Sequence, residues 1–587
     1  MTESTMYLTT DESSKRDYRT VVAINDTNAN FQLFDYVRIE DIASGDRGDS
    51  EIAAQWIGQI TAPNINISPV GGPYDPTILY AIKLRQSTPV VRLAETIEAW
   101  QITLMGEYRD GALSSLRRRP KPGASVAKLD QDTTLKVLKI PAYKDEQPNA
   151  IGYLINADRV PLCVNHTIFT HHILVSGGTG SGKSNTGANL IKQASKQGFF
   201  VFLYDAKPDY RKIDQSNSDP AIRSDIWDGF LKYAIKPEGA HNCLHVAIYN
   251  GPKQDYENYD LVIGFRASDF EPYVFAELFF DEAANVNQYE EFASVCADLK
   301  SGEDGDFESD KTFSLKDVEN EITERWKAYI EEEQQANKSA APGTGRRTIH
   351  PKTADAILRK VRRLKKQMRW LDSVGRSIKD RLSDDSVTTS LFESKHAARQ
   401  ECVQSFDSEK LFAKMQEKGA RIVHIDCSDQ SGFDARTYAL FLTRFLFVNQ
   451  KYQIKHRSQE NGIVEFVDEA HRLFTNSTRY KDMLARTFNR TMVEGRSLGH
   501  GVILSLQNAS QVPPQLLNNM NTHIVMKQNN KDVAKAATQT MGENFAEQSL
   551  MLGTGEALCK LFESPAVVLA QMAPSPYELE RSDNANR

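Results

Sequence analysis

From Thr20 to about Ile140, short apolar runs alternate with turn residues: TVVAIN, FQLFDYVRIE, AAQWIGQITA, TILYAIKL and KVLKIP. Runs of this length, punctuated by Gly, Pro, Asn and Asp, predict the strands of a small β-barrel or sandwich. The pattern changes at His171, where HHILVS, a glycine loop, the amphipathic SNTGANLIKQASKQG and FFVFLYD read strand, loop, helix, strand. Strands alternating with helices of about 10–15 residues predict a parallel α/β sheet. ARIVHID (420–426), GIVEFVD (462–468), GVILSLQ (501–507) and THIVMK (522–527) continue it. Such near-continuous apolar strands belong in a sheet covered on both faces. Residues 267–400 differ: they are helical in composition, rich in charge clusters, and contain no buried-strand run. EALCKLF and PAVVLAQ then predict two closing strands. The expected organisation is a tail (1–18), a β-barrel-like domain (19–150), a first core segment (151–266), a helical insertion (267–400), a second core segment with closing strands (401–575) and a tail (576–587).

Composition narrows the function classes only a little. The chain has 587 residues, 71 basic and 78 acidic, for a net charge of −7, which excludes a basic nucleic-acid coat but not a local basic channel. No apolar run reaches the ~18 residues of a membrane span. The first twenty residues lack the apolar core of a signal peptide. Six cysteines are scattered without a C-x-x-C pair, so neither a disulfide framework nor a zinc site is expected, and a reducing cytoplasm fits best. Arg359–Arg369 holds seven basic residues in eleven. It is either a phosphate-contacting run or a solvated helix face with Val361, Leu364 and Met368 turned inward.

Chemistry is concentrated at Gly177-Gly178-Thr179-Gly180-Ser181-Gly182-Lys183-Ser184, a full G-x-x-x-x-G-K-[ST] between a strand and a helix. Glycines let successive N–H groups face phosphate oxygens, and the helix N-terminus adds its free donors and dipole. Lys183 is expected on the β- and γ-phosphates and Ser184 on magnesium, so ATP and Mg2+ are the expected ligands. Gly178 through Ser184, with Asn185 following, form the candidate binding segment. Hydrolysis needs a carboxylate-bearing strand beside this loop, and Ile463–Glu469 ends in Asp468 and Glu469. Asp468 is expected in the magnesium shell, and Glu469 as the residue that polarises water. Asp281-Glu282 is a rival pair, but its surroundings repeat at helical spacing and predict a solvated helix face. Gln507 ends the strand VILSLQ, where a polar side chain can sense a γ-phosphate, and Arg496 lies in a glycine-flanked loop suited to an arginine finger.

With these residues assembled, the chain resembles the HerA branch of the HerA–FtsK family of ring ATPases. The resemblance rests on GGTGSGKS, FFVFLYD followed by Ala206-Lys207-Pro208-Asp209-Tyr210, IVEFVDEAH, and the block from Glu494 to Lys527. It implies a P-loop NTPase fold with a RecA-like parallel sheet, and a homohexamer that translocates double-stranded DNA. Glu469, Arg496 and Gln507 would then be catalytic, with Arg496 acting on a neighbouring subunit. A separate effector is implied, sirtuin-like or a nuclease, with no membrane association; a nucleotide-controlled scaffold for that effector is the alternative. The chain departs from the family pattern twice. His171 stands where relatives carry a nucleotide-touching arginine, and Lys207-Pro208-Asp209-Tyr210 replaces their Gly-Glu-Tyr segment.

Overall fold

The computed structural model describes residues 6–8, 19–25, 31–43, 51–66, 98–121, 123–157, 159–219, 222, 224–251, 256–280, 284–301, 311–336, 347–376, 402–428, 435–456, 462–474, 478–542 and 544–580. Among the described residues, β1 (Met6–Leu8), β2 (Thr20–Asn25), β3 (Tyr36–Ala43), β4 (Glu51–Asn66), β5 (Glu98–Arg109), β6 (Ala112–Ser114) and β7 (Ser125–Lys128) form an antiparallel sheet. Pairing runs β1-β7-β3-β4-β5-β2, and β2 returns to β1, which closes a barrel with β6 appended to β5. Its interior is apolar, built on Val37, Ile39, Trp56, Ile60, Ile102, Leu104 and Val126. The basic segment Arg117–Lys121 is held by its backbone: Glu107 Oε1 accepts from Arg117 N at 3.1 Å and Arg118 N at 2.8 Å. TILYAIKL lies outside the described residues.

One expected strand is a helix. Lys136–Leu138 of KVLKIP close the helix Gln131–Leu138. Asp130 caps that helix, accepting from Thr133 N at 2.9 Å, and Thr134, Val137 and Leu138 fall at helical spacing on its buried face. A cap satisfies one of the four N–H groups that a helix start leaves free, which favours helix over strand here.

The second sheet carries the core. It contains β8 (Ala150–Leu154), β9 (Pro161–Cys163), β10 (Ile173–Ser176), β11 (Phe200–Asp205), β12 (Leu244–Ile248), β13 (Leu261–Gly264), β14 (Gln404–Ser405), β15 (Ile422–Asp426), β16 (Ile463–Val467), β17 (His500–Leu506), β18 (Thr522–Met526), β19 (Glu556–Lys560) and β20 (Val568–Met572). Among the described residues the order is β14-β13-β12-β15-β11-β16-β17-β10-β18-β19-β20-β8-β9. Strands β14 to β18 in that order run parallel, and β19, β20, β8 and β9 extend the sheet antiparallel. Apolar clusters cover both faces, as fully buried parallel strands require. This is the P-loop core expected from the sequence, with β17 inserted between the loop strand β10 and the acid strand β16. The closing segment also holds the barrel: Val567 O accepts from Tyr36 Oη at 3.1 Å and Gln59 Nε2 at 2.6 Å.

The helices Pro272–Phe279, Val286–Ser301, Leu315–Ala336 and Pro351–Lys365 occupy the insertion. They share one apolar core with the sheet, and they pack on one another through aromatic contacts such as Phe279–Phe292, whose ring centres lie 4.9 Å apart. Leu278 and Phe279 therefore end a helix rather than a strand, and Asp281 and Glu282 lie outside the described residues. In the basic run, Val361 and Met368 are buried while Arg362, Arg363, Lys366 and Arg369 are exposed. Part of its charge is engaged, with Arg359 2.7 Å from Asp355 and Lys365 3.8 Å from Glu319. Among the described residues, no helix is long and apolar enough to cross a membrane.

Candidate nucleotide-binding site

The loop leaves the C-terminal end of β10 and enters the helix Lys183–Lys196, with Gly182 as its N-cap. Gly180 and Gly182 have φ of 75° and 110°, a region where any side chain is strained and glycine is not. The loop is braced from both sides: Gly178 N donates to Lys527 O at 2.7 Å, and Gly555 N to Ser181 O at 3.0 Å. Lys183 is buried, and its Nζ donates to Gly178 O at 3.0 Å. Burial lowers the Lys183 pKa, while Glu469 and Asp468 nearby oppose that shift. Ser184 Oγ donates to Asp209 Oδ2 at 2.9 Å. Asn185 lies within the first turn of the helix, its carbonyl accepting from Asn189 Nδ2 at 2.9 Å.

Asp468 and Glu469 follow β16 directly, at the same C-terminal edge of the sheet. Asp468 is buried, and its Oδ2 has no hydrogen-bond partner within the protein. Burial, with the like charges of Glu469, Asp205 and Asp209, pushes its pKa well above the ordinary 3.8. A buried carboxylate oxygen left without a partner is costly, and a bound cation removes that cost. Glu469 adopts a φ of 49°. For a residue with a side chain this costs about 1–3 kcal/mol and is typical of functional sites. Its Oε1 accepts from both Lys207 Nζ and Gln507 Nε2, and His471 Nδ1 lies 3.3 Å from its Oε2. Thr179 Oγ1 donates to Gln507 Oε1 at 3.3 Å, so Gln507 joins the loop to the acid strand. A polar cavity of about 310 Å³ opens beside Gly178 and Thr179, lined also by His471, Gln507, Asn508 and Asn529.

These side chains suit nucleotide and magnesium. Among the described residues no group of three or more His, Cys, Asp or Glu side chains forms a protein-only metal site. Magnesium in phosphate sites takes one or two protein oxygens and completes its shell with phosphate and water. The Ser184 hydroxyl and the unpartnered Asp468 Oδ2 are oxygens of that kind.

Two residues named from the sequence lie elsewhere. Arg496 is exposed in a turn just before β17, whereas Gln507 follows its other end. Seven residues of strand at about 3.3 Å each separate the two by roughly 20 Å. His171 precedes β10 at that same far edge and stacks on Phe562 with ring centres 3.8 Å apart. Neither meets the loop of its own chain. In contrast, Lys207 and Asp209, from the segment that departs from the family pattern and in which Asp209 takes the place of the family's glutamate, sit inside the site. Their signal was position: both fall in the turn leaving β11, at the edge where the loop and acids converge.

The profile of the family described as helicase HerA, central domain, matches residues 149–446, half of the chain. A probable helicase, MJ1565 of Methanocaldococcus jannaschii, is 30% identical over 118 residues, covering 19% of this chain and 22% of that protein. Similar solved structures include VirB4 of Thermoanaerobacter pseudethanolicus, with 12% identity and a TM-score of 0.43 over 76% of this chain and 100% of that one. Plasmid coupling protein TrwB in complex with a non-hydrolysable ATP analogue gives 12% identity and a TM-score of 0.44, over 76% of this chain and 93% of that one.

Proposed function

Since the chain belongs to the family of the helicase HerA central domain, we propose that it is an ATPase that drives movement along double-stranded DNA. The observation that carries this reading is the convergence of Lys183, Ser184, Asp468, Glu469 and Gln507, brought from three strands to one sheet edge. Loop N–H groups from Gly178 to Ser184 and the helix start at Lys183–Asn185 bind the phosphates of ATP. Ser184 and Asp468 would hold magnesium, which when bound would supply neutralising charge on those phosphates. Glu469 orients the attacking water and accepts its proton. Gln507, bonded to both Thr179 and Glu469, reports the state of the loop to the base.

Arg496 lies far from its own loop and faces solvent, so as a finger it serves a neighbouring copy. That supports a closed ring, and we assign a homohexamer with DNA in its pore. An effector on a separate chain, a nuclease or sirtuin-like enzyme acting in antiviral defence or DNA-end processing, docks on the N-terminal barrel in the cytoplasm. The second reading is a nucleotide-controlled ring that assembles and activates that effector. It is favoured by the net charge of −7 and by ion pairs that engage part of the basic run.

A DNA-stimulated ATPase assay tests the first reading. Lys183→Ala and Glu469→Ala should each reduce turnover to a small residual rate, and wild-type hydrolysis by both variants would reject the site. Displacement of a DNA triplex ahead of the ring separates translocation from scaffolding. Arg496→Ala subunits should regain turnover when mixed with Lys183→Ala subunits; failure to do so would remove the finger role across the interface.

A further inference from the structure

The turn between β11 and the residues that follow it enters the site from a direction neither the loop nor the acid strand occupies. Asp205, the last residue of β11, fixes this turn by accepting from Tyr210 N at 3.0 Å. Pro208 opens a single helical turn, Pro208–Tyr210, and Lys207 precedes it in extended conformation. From this short frame two side chains diverge. Asp209 reaches the loop helix at Ser184, 2.9 Å away, and Lys207 reaches the acid strand at Glu469. A third bond ties the turn to the segment after Glu469, with Arg472 Nη1 donating to Ala206 O at 3.2 Å.

Glu469 needs this neighbour. Its side chain is 5% exposed, so its charge has almost no water to stabilise it, while the Lys207 side chain is 39% exposed and keeps a solvated route into the site. A buried carboxylate deprived of its counter-charge is strongly destabilised. Lys207 and Gln507 share Oε1, which leaves Oε2, on the His471 side, as the less encumbered oxygen. With one oxygen fixed by two donors, the carboxylate plane cannot rotate freely, and its other oxygen has a set direction.

We propose that Lys207 is a positioning residue for hydrolysis: it acts through Glu469, holding that carboxylate oriented so that one oxygen is offered to the attacking water. This rests on the assignment of Glu469 as the base, and it adds a residue with no place in that assignment. A cation is required, delivered from this turn; an uncharged side chain of the same length does not suffice.

The test uses full-length Lys207→Met, Lys207→Ala and Lys207→Arg, assayed with magnesium-ATP at saturation. Loss of a partner that orients an active residue costs about 10–100-fold in activity. The expected result is that order of loss in kcat for Met and Ala, with KM for ATP little changed. Lys207→Arg should recover a clear part of the loss. In a Glu469→Ala background, Lys207→Met should lower the residual rate no further, because residues that act as one unit are not additive. Unchanged kcat in Lys207→Met, an increase in KM alone, no recovery by arginine, or an additive loss in the double variant each overturns the proposal. Thermal melting and binding of a fluorescent ATP analogue confirm that each variant is folded, and Lys207→Arg still decides if Lys207→Ala does not fold. Wild-type turnover by Glu469→Ala would instead remove the base assignment, a different failure visible in a different variant.

Discussion

Glu465 and Glu469 stand four positions apart on one segment, and both are buried. Glu465 accepts from Tyr204 Oη at 2.7 Å, faces His500 Nε2 at 2.8 Å, and accepts from Asn449 Nδ2 at 3.0 Å. Those partners come from β11, from the segment that begins β17 and from the helix Ala435–Lys455, so the acid ties three elements together behind the sheet edge. The pair after β16 is arranged differently. Asp468 keeps an oxygen without a partner, Glu469 holds a left-handed backbone, and their neighbours Asp205 and Asp209 are acids as well. Burial alone does not distinguish the two acids. The partners do: Glu465 is held by groups of the fold itself, whereas Glu469 is held by groups of the phosphate-loop edge and stands beside Asp468, a buried acid with an oxygen to spare among like charges.

The largest expected difference lies in turnover. Glu469→Ala should lower kcat by about 10²–10⁴-fold, the usual range for a general base, while the melting temperature stays near wild type. Glu465→Ala should do the reverse: it leaves the buried Tyr204, Asn449 and His500 groups without their acceptor, at about 1–3 kcal/mol for each buried group left unsatisfied, read as a lower urea midpoint, and the protein that remains folded should hydrolyse ATP. If Glu465→Ala abolishes turnover without loss of stability, the division fails. Next in size, Asp468→Asn should weaken magnesium dependence by about 10–100-fold, as for a lost metal-shell group. It should melt no lower than wild type, because it removes a buried acid held among other acids.

Acid sensitivity sharpens the scaffold side. His172 Nδ1 accepts from Val502 N at 3.1 Å, and its Nε2 faces Met492 O at 2.8 Å, which fixes a neutral ring. Burial pushes its pKa from 6.5 down to about 4. A base depressed in this way contributes stability above pH 6.5 that is lost as the pH falls toward about 4, since the unfolded chain takes up the proton first. His172→Gln should be less stable at neutral pH and should lose less on acidification; an equal acid slope in both proteins would assign the effect elsewhere. The smallest effect is expected from the rival pair: if the acids after β16 are the hydrolytic pair, Glu282→Gln should leave kcat within about two-fold, since changes away from a site usually cost little.

Much of this division was legible from residue order. The loop, the acids after GIVEFVD and Gln507 after VILSL are local patterns, each an apolar run that ends in polar or glycine residues. Strands β12 and β13 were not, because LHVAI and LVIG are short runs whose strand character depends on pairing with β15 and with each other. KVLKIP misled because its apolar spacing suits strand and helix alike, and the cap at Asp130 decided between them. Lys207 was unreadable for another reason: its partner lies 262 positions away, and the chain carries no local mark of that contact.

The bonds around the closing strands have a mechanical meaning. Gly555 N grips the phosphate loop at Ser181 O, Gly555 O accepts from Met572 N at 2.8 Å, and Val567 O, one residue before β20, is held by Tyr36 and Gln59 of the barrel. Loop and barrel are thus joined through a short run of hydrogen-bonded strand rather than through a slack tether. A load applied to the loop would have a continuous path of hydrogen bonds to the barrel, with no slack segment along it to absorb it.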